Sequence, residues 1–475
     1  MLNVRFSGLL LAALSVGAAG CASHSDYTKA ARSALDAGQT NDALTRYNEA
    51  LDVPNAKQLP PKIGGDNVLF ILDRAMVLQS LKNYELSERD LSVADKQIEV
   101  LDFSRSSLDD IGKYVFSDST GPYKAPIYEK LLINTMNMVN YLAQHDLEGA
   151  RVEARRLAVM QRFVKDTKGS SAALIAPGSY LAGFIFEKSN DPDEALRYYD
   201  EALAQQPFGS LEPAVVRLAQ KSSYRTPRID AILKKYAAQA EPSSAATPPP
   251  NNPNNSASTA TASPATPAIA AADQPAEVLV VISYGRVPAK IAKRVPIGLA
   301  LTFASGALSP YDQARANRLA AQGLVTWVNF PELGQPRGEW GSAHLAVDGS
   351  SRVIEQALAV DLEAKKAWDD IKGSVVASAI TRLITRLVAG EVADKASGGG
   401  TLGTILSLVT QATLTATDTP DTRSWSTLPA RITVARFTIP AGTHWVDLGA
   451  RGRSERYKIT VRPGDWALLG LTVLR

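Results

Sequence analysis

The sequence predicts a multidomain chain of α plus α/β class. It would comprise an N-terminal array of helical repeats, a disordered linker, and a C-terminal mixed domain with antiparallel β hairpins and a helical hairpin. Three observations carry this. Between residues 21 and 238 apolar residues recur at three and four, alanine is abundant and β-branched runs are few, which is helical periodicity. Residues 239–275 are rich in Pro, Ser, Asn, Thr and Ala, and cannot bury enough apolar surface to offset their ordering entropy. Beyond them, in 276–475, alternating apolar runs broken by Pro and Gly signal strands and turns.

The chain opens Met-Leu-Asn-Val-Arg5 and runs uncharged from Phe6 to Gly20. A basic start followed by an apolar run too short to span a bilayer marks residues 1–20 as a signal peptide. The run ends Ala18-Ala19-Gly20-Cys21, which resembles the lipobox of bacterial lipoproteins. That resemblance implies that the Cys21 thiol takes a diacylglycerol and that cleavage frees its amine for a further acyl chain of palmitate type. Cys21 is the only cysteine, so a secreted chain would otherwise carry one unpaired thiol. Two or three acyl chains anchor a protein stably, at about 0.8 kcal/mol per buried methylene, where one anchors it marginally. The absence of aspartate at Ala22 and Ser23 implies, by the same resemblance, an outer-membrane lipoprotein facing the periplasm.

Within 21–238, Tyr27, Ala30, Ala31, Gly38, Ala43, Tyr47 and Ala50 fit a tetratricopeptide-like (TPR-like) helix-turn-helix unit, and Ala182, Gly183, Phe186, Asn190, Ala195, Tyr199, Ala202 and Pro207 fit a better one. Small residues let paired helices approach, aromatics fill the gap beside them, and proline ends the second helix. Two degenerate copies fall around Ala75, Leu91 and Ala94, and around Ala150, Ala154 and Leu157. The alanine-like positions 43, 87, 150 and 195 are separated by 44, 63 and 45 residues, so these are repeats with insertions. The linker, as a flexible coil, would span on the order of 35 Å and let the two halves move independently.

The second half opens with a strand at 277–284, and another is expected at 324–330. A helix from about 361 to 394 carries Val376, Ile380, Leu383, Ile384, Leu387 and Val388 on one face, and Leu402, Ile405, Leu406 and Val409 continue at helical spacing after a Gly-rich break. The end reads as two hairpins, 431–439 turning at Pro440-Ala-Gly442 into 443–448, and 457–461 turning at Pro463-Gly464 into 466–474. All six tryptophans lie beyond residue 320, which implies separate cores for the halves.

Candidate chemistry is sparse. A net charge of +3 excludes the broad basic surface of a dedicated nucleic-acid binder, and one cysteine excludes disulfide and Cys-cluster metal sites. The four histidines are scattered and lack recognisable acid or nucleophile partners in sequence, and His444 is expected to pack beside Trp445. Gly398-x-Gly400-x-x-Gly403 has dinucleotide-loop spacing, but a helix rather than a strand precedes it and no P-loop lysine follows. Residues 396–417 form an uncharged run of 22 residues diluted by six threonines, better suited to a buried helix than a membrane span. The doublets Asp109-Asp110 and Asp369-Asp370 read as cap or surface positions. No cofactor, metal or catalytic set emerges, and the chain reads as a non-enzyme.

Two stretches together resemble a family of poorly characterised Gram-negative lipoproteins with a TPR-like N-terminal half. One is Tyr128-Glu-Lys130, Asn134, Asn140-Tyr-Leu-Ala143, Asp146 and Ala150-Arg-Val-Glu-Ala-Arg-Arg156. The other is Asp421-Thr-Arg-Ser-Trp425, Leu428-Pro429, Ile432 and Ala435-Arg436. The segment from Ile439 to Gly464 is similar to small β-sandwich modules of PEGA type. The resemblance implies a role in the cell envelope and transfers no catalytic residue. The expected function is a lipid-anchored scaffold whose concave repeat surface binds a protein partner through Tyr47, Tyr198, Tyr199 and the basic edge Arg155/Arg156. The alternatives are a homo-oligomeric or pore-forming assembly using helices 371–417, and an envelope hydrolase or carbohydrate binder.

Overall fold

The computed structural model describes residues 24–98, 123, 125–165, 172–240, 274–304, 306–322, 326–335, 341–396 and 420–475. The signal peptide, Cys21, nearly all of the linker, Asp109-Asp110, the 398–403 glycine spacing and almost all of 396–417 lie outside the described residues.

After a single turn, His24–Tyr27, four helix hairpins follow in sequence: α1 (Lys29–Asp36) with α2 (Thr40–Ala50), α3 (Asn67–Ser80) with α4 (Tyr84–Gln97), α5 (Ile127–Ala143) with α6 (Leu147–Lys165), and α7 (Ala176–Lys188) with α8 (Pro192–Gln205). α9 (Glu212–Ala219) and α10 (Pro227–Ala240) complete the array, in which each helix packs on the next. All four hairpins use one turn. Gly38, Lys82, His145 and Asn190 take positive φ, at the same 44-, 63- and 45-residue steps that the sequence shows. Their N–H groups donate to the carbonyls of Leu35, Gln79, Leu142 and Glu187. The N–H groups of the residues that follow donate to Ala34, Leu78, Tyr141 and Phe186. This is the Schellman arrangement, which satisfies the last carbonyls of the first helix. In three of the four, the next side chain also caps the second helix: Asn83, Asp146 and Asp191 accept from the N–H of Leu86, Gly149 and Glu194. Close approach within a hairpin needs small residues: a Cβ on Gly183 would lie 2.3 Å from the Tyr199 ring, and one on Gly149 2.3 Å from the Tyr141 ring.

The strands are β1 (Ala276–Tyr284), β2 (Lys290–Pro296), β3 (Trp327–Leu333), β4 (His344–Val347), β5 (Ser350–Ser351), β6 (Glu355–Ala359), β7 (Arg431–Ile439), β8 (Gly442–Ala450), β9 (Arg453–Val461) and β10 (Trp466–Val473). One sheet runs β10-β1-β7-β6 and another β5-β4-β8-β9, while β2 and β3 pair separately. β10 lies parallel to β1, and the other pairs are antiparallel. The expected hairpins at Pro440–Gly442 and Pro463–Gly464 are not hairpins. β7 and β10 belong to the first sheet and β8 and β9 to the second, so both turns carry the chain from one sheet to the other. The hairpin is β8–β9, closed at Arg451 and Gly452, both with positive φ, as a two-residue turn requires.

The first helices of the last three hairpins are buried nearly all round: in α3 every residue from Val68 to Ser80, in α5 every residue from Tyr128 to Asn140, in α7 every residue from Ala176 to Phe186. A helix without a solvent face lies inside a core. The second helices cover one side and the β10-β1-β7-β6 sheet covers the other. Leu279, Val281, Ile432, Val434 and Leu468 share a single core with α1–α10, and the opposite face of that sheet, Val278, Val280, Ile282 and Leu471, packs on Val446 and Leu448 of the second sheet. The molecule is thus layered as helices, sheet, sheet. Separate cores for the two halves do not occur: Trp425 and Trp466 pack into the helical array itself.

A further core joins β2 and β3 to α11 (Ile297–Phe303), α12 (Pro310–Ala321) and α13 (Val360–Ala396). There Val376, Ile380, Leu383 and Ile384 are buried, as their spacing predicts.

Candidate functional site

The two stretches quoted above meet. The loop 420–430, buried throughout, threads between α3 and α5. Trp425 donates its backbone N–H to Glu129 Oε1 at 3.2 Å and its indole N–H to the Leu72 carbonyl at 3.1 Å. Ser426 Oγ and Thr427 N–H donate to the Asp73 carboxylate at 3.0 and 2.9 Å, and Arg423 forks onto Asp421 at 2.9 and 2.8 Å. Lys290 is enclosed beside Asp421 and Glu129, and burial depresses its pKa despite them. Burial raises the Glu129 pKa to about 7, against the hydrogen bond from Tyr123, the Lys290 charge and the Trp425 N–H. His24 Nε2 lies 3.5 Å from Asp73 Oδ2, an acid partner invisible in sequence. The carboxylate stands between imidazole and Ser426, so the serine hydroxyl donates to Asp73 rather than to the imidazole, an order different from that of a Ser-His-Asp triad.

A second seam surrounds Arg436 on the helix-facing side of β7. Its Nε donates to Glu277 at 2.6 Å, Nη1 to the Tyr199 hydroxyl at 2.6 Å, and Nη2 to both oxygens of Glu187 at 2.8 and 2.7 Å. Lys188 pairs with Glu277, and Arg217 with Glu187. Burial raises the Glu187 pKa, but Arg436, Lys188 and Arg217 outweigh it and hold the carboxyl well below its usual range. A third contact, Thr472 Oγ1 to Gln79 Oε1 at 3.2 Å, joins β10 to the amide ladder Gln79–Asn140–Ser87.

Of the residues expected to face a partner, three face this chain's own interior. Tyr47 is 0 % exposed, with its hydroxyl toward Asp73 and Ser426, and Tyr199 is 0 % exposed under Arg436. Tyr198 is buried by its stack on Phe186 at 5.3 Å. For Tyr47 and Tyr199 the physical reason is that the inner side of the helical array is already filled by the 420–430 loop and the first sheet, whereas Tyr198 is packed between α6, α7 and α8. Arg156 is committed to Glu153 at 2.9 Å and Asp95 at 3.7 Å. Arg155 alone is open to solvent. His444 does not simply pack beside Trp445. It bonds Asp348 at 2.7 Å and the Pro440 carbonyl at 2.9 Å, and the Asp348 bond raises its pKa. Asp369 pairs with exposed Lys365 at 2.6 Å.

Arg155 leads to the outward face of α6. Val152, Arg155, Val159 and Arg162 follow at three- and four-residue steps, opposite the buried stripe Ala150, Ala154 and Leu157. Val152 is 46 % and Val159 61 % exposed. Arg155 and Arg162 carry no ion pair among the described residues. Beside this stripe lies a cleft of about 370 Å³, lined by Arg155, Val159, Arg162, Phe186, Arg197 and Tyr198. Arg197 stacks over the Tyr198 ring at 4.5 Å and pairs with Glu194. The valine–arginine stripe is legible in the sequence as helical spacing, but a concave repeat surface implies binding on the opposite side. Among the described residues no His/Cys/Asp/Glu group could hold a metal ion, and no helix is long and apolar enough to cross a membrane. No protein-family model and no curated protein matches the chain.

Proposed function

We propose that this chain is a lipid-anchored cell-envelope scaffold of the Gram-negative lipoprotein family it resembles, held to the outer membrane through Cys21, with a protein partner on the outer face of a TPR-like array. The observation that carries the reading is the α6 stripe, two exposed valines alternating with two guanidiniums that have no ion pair among the described residues. Large exposed apolar side chains beside unneutralised arginines suit a partner surface that brings carboxylates and a small apolar ridge. The inner face, which other repeat arrays offer to ligands, is taken up by the chain's own sheet, and this supports docking outside.

The test is crosslinking in intact cells from a photoreactive residue at Val159, with Cys21→Ala compared in membrane fractionation. The parent is expected in the outer-membrane fraction with one defined crosslinked protein. Val159→Asp with Arg155→Glu is expected to lose that product while leaving the melting temperature within a degree or two, since both positions are exposed. Retention of the crosslink in the double variant would overturn the docking site. A ladder of self-crosslinks would move the assembly reading ahead.

A further inference from the structure

We infer that the cleft between α1 and the chain joining β1 to β2 is a binding site for a phosphate group, and that its natural source is an anionic phospholipid headgroup at the membrane surface. The cleft has a volume of about 330 Å³ and presents Lys29, Arg32 and Arg286 against one carboxylate, Asp36. Asp36 is engaged by Arg286, whose side chain is only 4 % exposed at the base of the cleft. Lys29 is exposed and has no ion pair among the described residues, and the Arg32 guanidinium donates to the Ser25 carbonyl at 2.9 Å. Among the described residues that line the cleft, two cationic charges therefore stand at the mouth without a paired carboxylate, with the Ser33 hydroxyl beside them. Guanidinium, ammonium and hydroxyl donors converging on one hollow suit the tetrahedral, multiply accepting phosphate better than a planar carboxylate. The opposite wall is apolar, and Ile291 there is 47 % exposed, which suits the glycerol and acyl start of a lipid rather than inorganic phosphate alone.

Position favours the lipid source. His24, the first described residue, is 1 % exposed, so the packed body begins at once. Cys21 precedes it by three residues, a reach of about 10 Å when extended. An acyl anchor there would hold this end of the molecule against the bilayer. Tyr27, 57 % exposed, lies on that segment, where an aromatic ring suits the headgroup layer. Tethering so close raises the effective concentration of headgroup phosphate far above that of any dissolved ester.

The lipid source rests on the proposed acylation of Cys21, whereas the anion chemistry of the cleft does not, and the test separates them. The chain starting at Ala22 keeps every described residue and carries no lipid. It is floated with vesicles of phosphatidylglycerol in phosphatidylcholine and with vesicles of phosphatidylcholine alone, and titrated separately with glycerol phosphate. We expect selective binding to the phosphatidylglycerol vesicles, weakened by about tenfold or more in each of Lys29→Glu and Arg32→Glu. Arg318→Glu on exposed α12 changes the net charge equally and should leave binding unchanged. Binding of glycerol phosphate with the same two sensitivities, without vesicle binding, would uphold the phosphate site and overturn the lipid source. Equal binding by parent, Lys29→Glu and Arg32→Glu, or no binding in either arm, overturns the proposal. Acylation is read independently from palmitate incorporation into the full chain and its loss in Cys21→Ala.

Discussion

Glu129 sits in the middle of the Trp425 seam, accepting from Tyr123 and from the Trp425 N–H, and its pKa is raised by burial to about 7. A carboxyl whose folded pKa exceeds its unfolded value of 4.5 contributes stability below the lower value and loses it as pH rises through the higher. The parent is therefore expected to lose stability relative to Glu129→Gln between about pH 5 and pH 8, by on the order of 3 kcal/mol. Denaturant titrations of both proteins across that range check this, and a flat difference would contradict it. Residue by residue, the sequence was most misleading at Tyr47, Tyr198 and Tyr199. Repeat spacing says which side of its own hairpin an aromatic fills, but not whether another part of the chain lies over that hairpin. Glu129 and Trp425 are visible as resemblance-bearing residues. Their meeting is not, because it joins positions some three hundred residues apart, beyond any local periodicity.

At the level of elements, the hairpin turn explains both what could be read and what could not. Gly38 and Asn190 are residues that accept positive φ cheaply, and the hairpins around them are the two whose spacing is clear in the sequence. Lys82 and His145 hold the same conformation against a cost of about 1–2 kcal/mol each. Both reach the sheets: Lys82 Nζ lies 4.3 Å from the Tyr457 ring centre, and the His145 ring 4.6 Å from that of Trp466. The spacing around these two hairpins is less regular in sequence, and their turn residues serve a contact with another element. Within a hairpin the tight point is Gly183, whose substitution by alanine would push the Tyr199 ring away from Arg436. Gly183→Ala is expected to cost about 1–3 kcal/mol in denaturant unfolding. A change below half a kilocalorie would mean that Tyr199 moves freely. Among strands, β1 and β7 are legible because each is nine residues long and largely apolar, β1 being buried throughout, whereas β4, β5 and β6 are too short to carry alternation. Proline and glycine at 440–442 and 463–464 correctly marked reversals, but a reversal between sheets and one within a sheet have the same composition.

For the molecule as a whole, the shared core replaces the picture of two halves on a flexible tether. The Arg436 network, the 420–430 loop and the β10 contacts each join helices to sheet, and removing one partner from a buried charge network costs about 3–5 kcal/mol. Proteolytic nicking within 241–273 is accordingly expected to leave two fragments that co-elute on gel filtration and unfold in one transition. Separation of the fragments without denaturant would refute the common core. The composition of 239–275 is plain in the sequence, but composition reports a connection and not whether what it connects is docked. β10, which completes the cover over α3 and α5, is made by the ribosome after every other described element and pairs with a strand made far earlier. Until it emerges, the apolar sides of α3, α5 and α7 have no lasting cover, and nascent or prematurely stopped chains present them to solvent and to each other. Stop codons at or just before β10 should thus be as damaging to yield as much earlier ones, and the growing chain is a natural client for holding chaperones.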